Sequence, residues 1–209
     1  MFSLTERFED EFEYHGKIIR LNLAFDQVLR VMELQDDPVF WWWEKVDIAL
    51  EMLIENYEDI ANIPLNEKVE MYAYIFNEFI NDKPKQEETS GKKVFDFKQD
   101  AGLIYASFLA AYGIDLFEQH GKLHWKKFMQ LLTHLPKDTA FKEVVVIRQE
   151  KLPPPNKHNQ EYRKYLMEMK RLYRLKDDDP GMIDDYDRVK EIDRKWDAVA
   201  AALKRKAVK

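Results

Sequence analysis

Two histidines, His120 and His124, lie four residues apart, a spacing at which side chains on one helix face can share a metal ion. A glycine lies between them, however, and no third ligand is spaced to complete a site. A second candidate is the acidic stretch 177–187, which looks like a calcium-binding loop. Its fifth position is Gly181 and its twelfth is Arg188, where oxygen ligands are required, so we interpret it as a turn and a helix start. The sequence therefore assigns no metal ligands.

Groups that could act in catalysis are also scarce. The chain has no cysteine, which excludes disulfides, thiolate zinc sites and cysteine nucleophiles. It has six glycines and neither a glycine-rich phosphate loop nor a nucleophile-elbow motif. Carboxylates are so frequent that two of them close in sequence do not identify a general acid and base. We therefore predict a protein that is not an enzyme, with no catalytic residue and no cofactor.

Trp41, Trp42 and Trp43 are consecutive. Successive residues of a helix are about 100° apart, so three indoles cover roughly 200° and one packed face is too narrow for all of them. At least one indole is therefore expected to be exposed or buried against something else. Two interpretations remain open. The tryptophans form either a first-turn cluster folded onto an N-terminal hairpin or a partner-binding patch, since tryptophans concentrate at interface hot spots.

Apolar residues near the C-terminus repeat at alternating spacings of four and three. The core-like heptad positions are Met182, Val189, Trp196 and Leu203. A repeat over about three heptads is the shortest that indicates a coiled coil. We predict self-association through this seam, which would make the protein a homo-oligomer. The alternative is that the seam packs against a neighbouring helix of its own chain.

Charge is distributed unevenly along the chain. The first 80 residues contain six Lys and Arg against 18 Asp and Glu, whereas basic residues cluster at 204–209. An acidic surface repels phosphate and a short basic tail suits the negative end of a helix dipole, so we expect no nucleic-acid partner. The longest apolar run falls short of the roughly 20 residues that cross a bilayer, and the acidic N-terminus is unlike a signal peptide. We expect a soluble cytoplasmic protein with no membrane partner.

Local patterns near the N-terminus predict a small hairpin followed by helices. Residues 12–14 and 17–22 are rich in β-formers on either side of His15-Gly16, as in a β-hairpin. Asp37 and Pro38 are the expected N-cap and first residue of the second helix. A first helix that ends near residues 36–37 is predicted by four apolar residues, Phe25, Val28, Leu29 and Met32.

Helical patterns continue beyond Pro64. The apolar residues predicted on the buried face of a third helix are Leu65, Val69, Tyr72, Ala73, Phe76 and Phe79. Residues 101–112 are apolar on most sides, which predicts a surrounded core helix with Asp100 as its cap. The stretch 140–148 suits both a helix and a strand, and we favour the helix.

The fold class is therefore mainly α, with a small N-terminal hairpin. We predict an acidic N-terminal lobe of hairpin and helices, a flexible linker, a central helical lobe, a proline-rich linker and a C-terminal helical hairpin. This division is based on the polar stretch between the first two lobes and on the prolines after the second lobe. The predicted boundaries are, in that order, 1–80, 81–94, 95–150, 151–158 and 159–209.

Three blocks resemble the gene product fifteen family of long-tailed bacteriophages: "FDFKQDAGLIYASFLAAYGIDL", "LHWKKF" and "LPKDTAFKEVVVIR", the last followed by a proline-rich link. The N-terminal "YHGKIIRLNLAFDQVLRVMEL" is similar to the opening hairpin and helix of that family. The resemblance extends from about Phe12 to about Tyr173, with the segments in the same order. The family commonly has a tryptophan where this chain has Lys126.

The resemblance implies a phage morphogenesis protein encoded in the tail region. Within that role we expect a tail assembly chaperone in the host cytoplasm, which binds the phage tape-measure protein and keeps it soluble until the tail tube polymerises around it. Other tail proteins are further candidate partners. The alternative is a structural or adaptor protein of the tail that is retained in the virion. A small, acidic, helical protein with many aromatic residues agrees with the chaperone role.

Overall fold

The computed structural model describes residues 4–81 and 93–176 of the chain. Helices dominate these residues, and a two-stranded antiparallel sheet lies near the N-terminus, which confirms the predicted mainly α fold. The described residues form two compact units. Unit 1 contains 4–81 and 102–139, and unit 2 contains 93–101 and 140–176.

This division differs from the predicted lobes. The sequence places 95–150 in one central lobe, whereas in the structure 102–139 cluster with the N-terminal residues and 140–150 cluster with the helix that follows. A polar linker can be recognised from composition, but composition does not show which distant helices pack together. Two predicted features lie outside the described residues, namely 82–92 of the flexible linker and 177–209 of the C-terminal hairpin.

The N-terminal hairpin consists of β1 (Glu11–Tyr14) and β2 (Lys17–Arg20), as the sequence predicts. Its two-residue turn has positive φ angles at both His15 (49°) and Gly16 (76°). This is the geometry of a type I′ turn, whose twist matches that of the paired strands. The second strand ends at Arg20, two residues earlier than predicted. Leu21 still donates its main-chain N–H to the Asp10 carbonyl (2.7 Å), and it also forms an isolated bridge with Ile54.

Three helices follow in unit 1: α1 (Phe25–Asp36), α2 (Trp42–Leu53) and α3 (Leu65–Ile75). A short 3-10 turn lies between α2 and α3, and a π-helical turn over Phe76–Ile80 continues α3. α2 packs on both α1 and α3. α2 therefore lies between α1 and α3.

The buried face of α3 differs from the predicted one. Of the predicted residues, Phe79 in the π-helical turn is buried, whereas Leu65 is 43% exposed. The helix itself buries Lys68, Met71 and Ile75. Met71 and Ile75 supply apolar contact on this side, and the ammonium of Lys68 is accommodated there because it bonds to Asp47 of α2. The spacing of apolar residues alone does not predict a buried helix face that includes a lysine.

An aromatic stack forms the centre of unit 1. α4 (Ala101–Tyr112) and α5 (Trp125–Thr133) supply Phe108 and Phe128, whose ring centroids are 5.2 Å apart with 20° between the ring planes. Phe128 also stacks at 4.9 Å on Phe25, the first residue of α1. The stack therefore joins residues 102–139 to the N-terminal helices.

Hydrogen bonds reinforce the same junction. The main-chain N–H of Phe25 donates to the Leu123 carbonyl (2.9 Å), and that of Trp125 donates to the Leu23 carbonyl (2.7 Å). The indole N–H of Trp125 donates to the Ile80 carbonyl at the end of the π-helical turn (2.9 Å). The start of α5 is thus fixed to three separate positions of the N-terminal stretch.

Only one side of α4 is buried, which corrects the prediction that this helix is surrounded. Ile104, Ser107 and Phe108 are buried, whereas Leu109 is 44% exposed and both Ala106 and Ala110 are exposed. Alanine and glycine leave little apolar area in water, so a helix with these residues outside tolerates exposure. The apolar composition of α4 therefore exceeds its burial.

Unit 2 contains α6 (Ala140–Gln149) and α7 (Gln160–Leu172). The helical interpretation of 140–148 is confirmed. Residues 151–156, in the predicted proline-rich linker, are neither helix nor strand. The ring of Phe95, in the segment 93–100, lies 5.5 Å from that of Phe141 on α6. The segment 93–100 therefore packs on α6.

Arg148 is the hydrogen-bonding centre of unit 2. Its guanidinium donates twice to the Asp100 carboxylate, at 2.6 and 2.8 Å, and also to the carbonyl oxygens of Val94 (3.2 Å) and Tyr173 (2.6 Å). The side chains of the ion pair are 9% and 2% exposed. Asp100 does directly precede α4, as predicted for a cap, but its carboxylate binds Arg148. One side chain thus connects three stretches of chain.

Phe108→Ala is expected to lower the free energy of unfolding by about 3–5 kcal/mol, because the substitution leaves a cavity in the aromatic stack. The adjacent Leu109→Ala is the matched control and should cost less than about 1 kcal/mol, since Leu109 lies on the exposed side of α4. Urea unfolding followed by tryptophan fluorescence measures both. Equal losses in the two variants would contradict the one-sided burial of α4.

Asp100→Leu should destabilise the protein by about 3–5 kcal/mol, because it leaves the buried Arg148 guanidinium without its counter-charge. Adding Arg148→Met removes the unpaired charge, so the double variant should be less destabilised than the sum of the single variants. Thermal unfolding of the three variants measures this coupling. Additive losses would show that the ion pair contributes no interaction energy.

Candidate partner-binding surface

The three tryptophans lie at the junction between α1 and α2. Residues 37–41 of this junction are not helical, and α2 begins only at Trp42. The prediction of a helix start with Asp37 as N-cap and Pro38 as first residue is therefore wrong. The Asp37 carboxylate instead accepts a hydrogen bond from the main-chain N–H of Val39 (2.8 Å), which closes a local turn.

Two further hydrogen bonds fix this junction. Trp41 occupies the N-cap position of α2, and its main-chain N–H donates to the Glu44 carboxylate (2.8 Å). The ammonium of Lys45 donates to the carbonyl of Gln35 in the last turn of α1 (2.6 Å). The start of α2 is therefore held against the end of α1, and the tryptophan backbone has a defined position.

All three indoles are exposed. The angle of about 100° between successive helix residues predicts that at least one of them is exposed or buried against something else. The exposed fractions are 65% for Trp41, 59% for Trp42 and 41% for Trp43. The rings of Trp41 and Trp43 stack at 5.3 Å with 6° between their planes, and Trp42 meets Trp43 edge to face at 5.7 Å. The tryptophans therefore contact one another while each keeps a large part of its surface in water.

The hairpin packs elsewhere in unit 1. The Phe12 ring of β1 lies 5.1 Å from Tyr74 on α3 and 6.1 Å from Phe79 in the π-helical turn. The hydroxyl of Tyr14 donates to the Glu67 carboxylate at the start of α3. This hydrogen bond is the largest of the effects that raise the pKa of Tyr14 to about 12. These contacts place the hairpin against α3, and the interpretation of the tryptophans as a cluster folded onto the hairpin loses its basis.

Two apolar residues before the tryptophans extend the surface. Val39 is 76% exposed and Phe40 is 38% exposed. Sequence reasoning singled out the tryptophans and missed these neighbours, although the unbroken run of large apolar residues after Pro38 was the available signal. We call residues 39–43 the aromatic segment.

Carboxylates flank the aromatic segment in the sequence. Residues 33–51 contain a single cation, Lys45, whose ammonium is bonded to the Gln35 carbonyl. The same stretch has six carboxylates: Glu33, Asp36, Asp37, Glu44, Asp47 and Glu51. An apolar surface with this margin complements a partner that is apolar and basic.

α2 is anchored without covering the tryptophans. Its buried side contains Val46, Ala49, Leu50 and Leu53, which pack towards α1 and α3. Asp47, one helical turn after Trp43, accepts a hydrogen bond from Lys68 of α3 at 2.5 Å and another from the Tyr57 hydroxyl. Lys68 is only 8% exposed and also donates to the Ala61 carbonyl (2.8 Å).

The same contacts shift the proton affinities of this group. Burial raises the pKa of the Asp47 carboxyl, but the hydrogen bonds from Lys68 and Tyr57 lower it by more, so its pKa lies below the ordinary value. Burial lowers the pKa of the Lys68 ammonium, but its bonds to Asp47 and Tyr57 raise it by more. Both groups are therefore held in their charged forms, and the ion pair keeps α2 in place.

The two candidate metal-binding histidines have separate roles. His124 caps α5 by accepting the N–H of Lys126 at Nδ1 (3.0 Å), which leaves Nε2 to donate to Asp10 (3.1 Å). His120 instead lies between the rings of Phe25 and Phe117, each about 5.7 Å away. Both imidazoles thus have structural contacts of their own.

Other predicted features have simpler outcomes. The acidic stretch 177–187 and the predicted self-association residues lie outside the described part of the chain. Within residues 4–81 and 93–176, no group of three or more His, Cys, Asp or Glu side chains could hold a metal ion. No helix of those ranges has both the length and the apolar character that crossing a membrane demands. The self-association residues in question are Met182, Val189, Trp196 and Leu203.

Asp47→Asn should destabilise the protein at pH 7 by on the order of 1 kcal/mol, a value discounted because the carboxylate is half exposed and screened by water. Its folded-state pKa lies below the ordinary value of 3.8, so its contribution is present above that pH and is lost as pH falls through the folded-state pKa. The difference from the wild type should therefore shrink in acid. Thermal unfolding at several pH values measures it, with the exposed Asp138→Asn as control. A pH-independent difference would contradict the ion pair.

Comparison with protein families gives a match over most of the chain. Residues 4–175 match the model of the family described as Bacteriophage Gp15 protein. No curated protein and no solved structure matches the chain. The family match covers both described ranges almost completely and contains the hairpin and every helix described above. The chain therefore belongs to the Bacteriophage Gp15 protein family.

Proposed function

We propose that this phage protein is a tail assembly chaperone that binds the tape-measure protein in the host cytoplasm and has no catalytic role. The tail role is the one that the gene product fifteen resemblance implies. The observation that carries the proposal is the exposed indole cluster on an acidic, rigidly held helix junction. Such a surface suits a long, helical, apolar chain that must stay soluble before the tail tube encloses it.

The chemistry of the aromatic segment supports a protein partner. Indoles offer a large apolar area with few rotatable bonds, so little side-chain entropy is lost when they bind. Trp41 and Trp43 already stack on each other, which fixes their rings before any partner arrives. The aromatic segment would cover the apolar side of an amphipathic helix, and the surrounding carboxylates would pair with its lysines and arginines.

A chaperone must also release its partner. Contacts at the margin of a surface are solvated, so each charge pair there adds little affinity and acts mainly on the association rate. The apolar area of a five-residue segment is small compared with a stable interface of about 800 Å² per partner. A single contact of this kind is therefore reversible, as release during tail-tube polymerisation requires.

The proposal is tested by co-expressing the tape-measure protein of the same phage with the full chain. Wild type should keep the tape-measure protein soluble, and the variant Trp42→Ala, Trp43→Ala should lose most of this effect while its melting temperature stays within a few degrees. The loss is expected because the two indoles supply much of the apolar area of the aromatic segment. The melting temperature should change little because the side chains are 59% and 41% exposed. Leu172→Ala, at a 66% exposed position on α7, is the matched control and should behave as wild type.

Three results would contradict parts of the proposal. Equal insolubility of the tape-measure protein with and without the chain would exclude the chaperone role. Mass spectrometry of purified particles separates the remaining alternative, since a chaperone leaves before completion and an adaptor is retained in stoichiometric amount. A tryptophan variant that folds and still solubilises the tape-measure protein would exclude the aromatic segment as the contact surface.

A further inference from the structure

A second exposed apolar surface lies on unit 1, far in sequence from the aromatic segment. Phe117 is 70% exposed and Leu109 is 44% exposed. The ring of Tyr105, one turn before Leu109 on α4, lies 5.3 Å from the ring of Phe117. We call Tyr105, Leu109 and Phe117 the Phe117 patch.

The loop that carries Phe117 is held in place from both sides. Gly113 ends α4 with a φ of 65°, a conformation that other residues rarely adopt. The Asp115 carboxylate accepts the main-chain N–H of Phe117 (2.9 Å) and lies 3.3 Å from the hydroxyl of Tyr105, which donates to it. Leu116 is buried beside them. The phenyl ring is therefore presented to water from a fixed backbone, which reduces the ordering cost of binding.

Ring contacts place the patch relative to α1. Phe117 lies 5.7 Å from His120, and His120 lies 5.7 Å from Phe25 at the first residue of α1. The aromatic segment follows the other end of the same helix. A helix of twelve residues is about 18 Å long. The Phe117 patch and the aromatic segment therefore belong to opposite ends of α1.

The electrostatic setting of the patch is the same as that of the aromatic segment. Residues 101–121 contain two carboxylates, Asp115 and Glu118, and no lysine or arginine. Burial raises the pKa of the Tyr105 hydroxyl, and the negative charges of both carboxylates raise it further. The nearest following cation, Lys122, donates its ammonium to the Glu118 carbonyl (2.9 Å). An apolar surface beside negative charge again favours an apolar and basic partner.

We propose that the Phe117 patch is a second binding surface for a helical segment that is apolar on one side and carries lysine or arginine on the other. This inference rests on the proposed function and extends it, because a long partner chain then contacts the protein at both ends of α1. Two weak contacts on one chain raise the overall affinity through effective concentration while each contact stays reversible. The arrangement suits a partner that is held firmly and released stepwise.

The test uses a fluorescently labelled peptide of leucine and lysine with leucines at helical spacing, and a matched peptide with glutamate in place of lysine. Binding to the full chain is measured by fluorescence anisotropy. Binding is compared in the Trp42→Ala, Trp43→Ala background, which removes the aromatic segment as a second site for the same peptide. In that background Phe117→Ser, Leu109→Gln should bind the leucine–lysine peptide at least about fivefold more weakly. Leu65→Gln, at a 43% exposed position of the same unit, is the control in that background and should leave binding unchanged.

Unchanged binding by the folded Phe117→Ser, Leu109→Gln variant would overturn the inference. Equal binding of the glutamate peptide would overturn its electrostatic part. If the variant instead lost self-association in sedimentation while binding the peptide normally, the patch would be a contact between copies of this chain. The inference fails alone if this variant solubilises the tape-measure protein as wild type does. The proposed function fails alone if the peptide binds at the patch but the tape-measure protein stays insoluble.

Discussion

The stacking of Phe128 between Phe108 and Phe25 is the interaction on which unit 1 depends, because there its two separate stretches of chain meet. Burial of aromatic rings is non-directional, but the hydrogen bonds of Trp125 give the junction a single register. Phe25 fixes the start of α1, and α1 in turn fixes α2 through Lys45 and the packing between the two helices. The position of the aromatic segment is therefore set by rings that lie at the far end of α1.

Two sets of aromatic residues in unit 1 have opposite solvent exposure. The residues of the stack are at most 4% exposed, whereas Trp41–Trp43 and Phe117 are between 41% and 70% exposed. Exposed apolar area lowers solubility, and charged groups close by offset this. Carboxylates neighbour both surfaces in the sequence. The buried Lys68 explains how α2 can stay fixed without covering its indoles, since an ion pair replaces part of the missing apolar contact.

Local features were predictable and long-range ones were not. The hairpin followed from His15-Gly16, the helix at 140–148 from its spacing, and the exposure of an indole from the angle between successive helix residues. The predicted start of α2 was wrong because Asp37 bonds to Val39 and forms a turn. The spacing of apolar residues does not reveal such a turn. Three other features depend on contacts with residues distant in sequence. They are the burial of α4, the inner face of α3 and the assignment of 102–139 to unit 1. The exposure of Phe117 was not predicted either, because it too depends on which residues pack around its loop.

The division of unit 1 into two stretches has a consequence for the order of folding during synthesis. Residues 4–81 leave the ribosome before Phe108, Trp125 and Phe128 exist, and at about 5–20 residues per second the delay amounts to roughly a few seconds. In that interval Phe25 and the carbonyl of Ile80 lack their partners, so the nascent N-terminal stretch exposes more apolar surface than the finished protein. Contacts this far apart in sequence close slowly. Unit 1 therefore matures late, after the segment 93–101 of unit 2 has already been made.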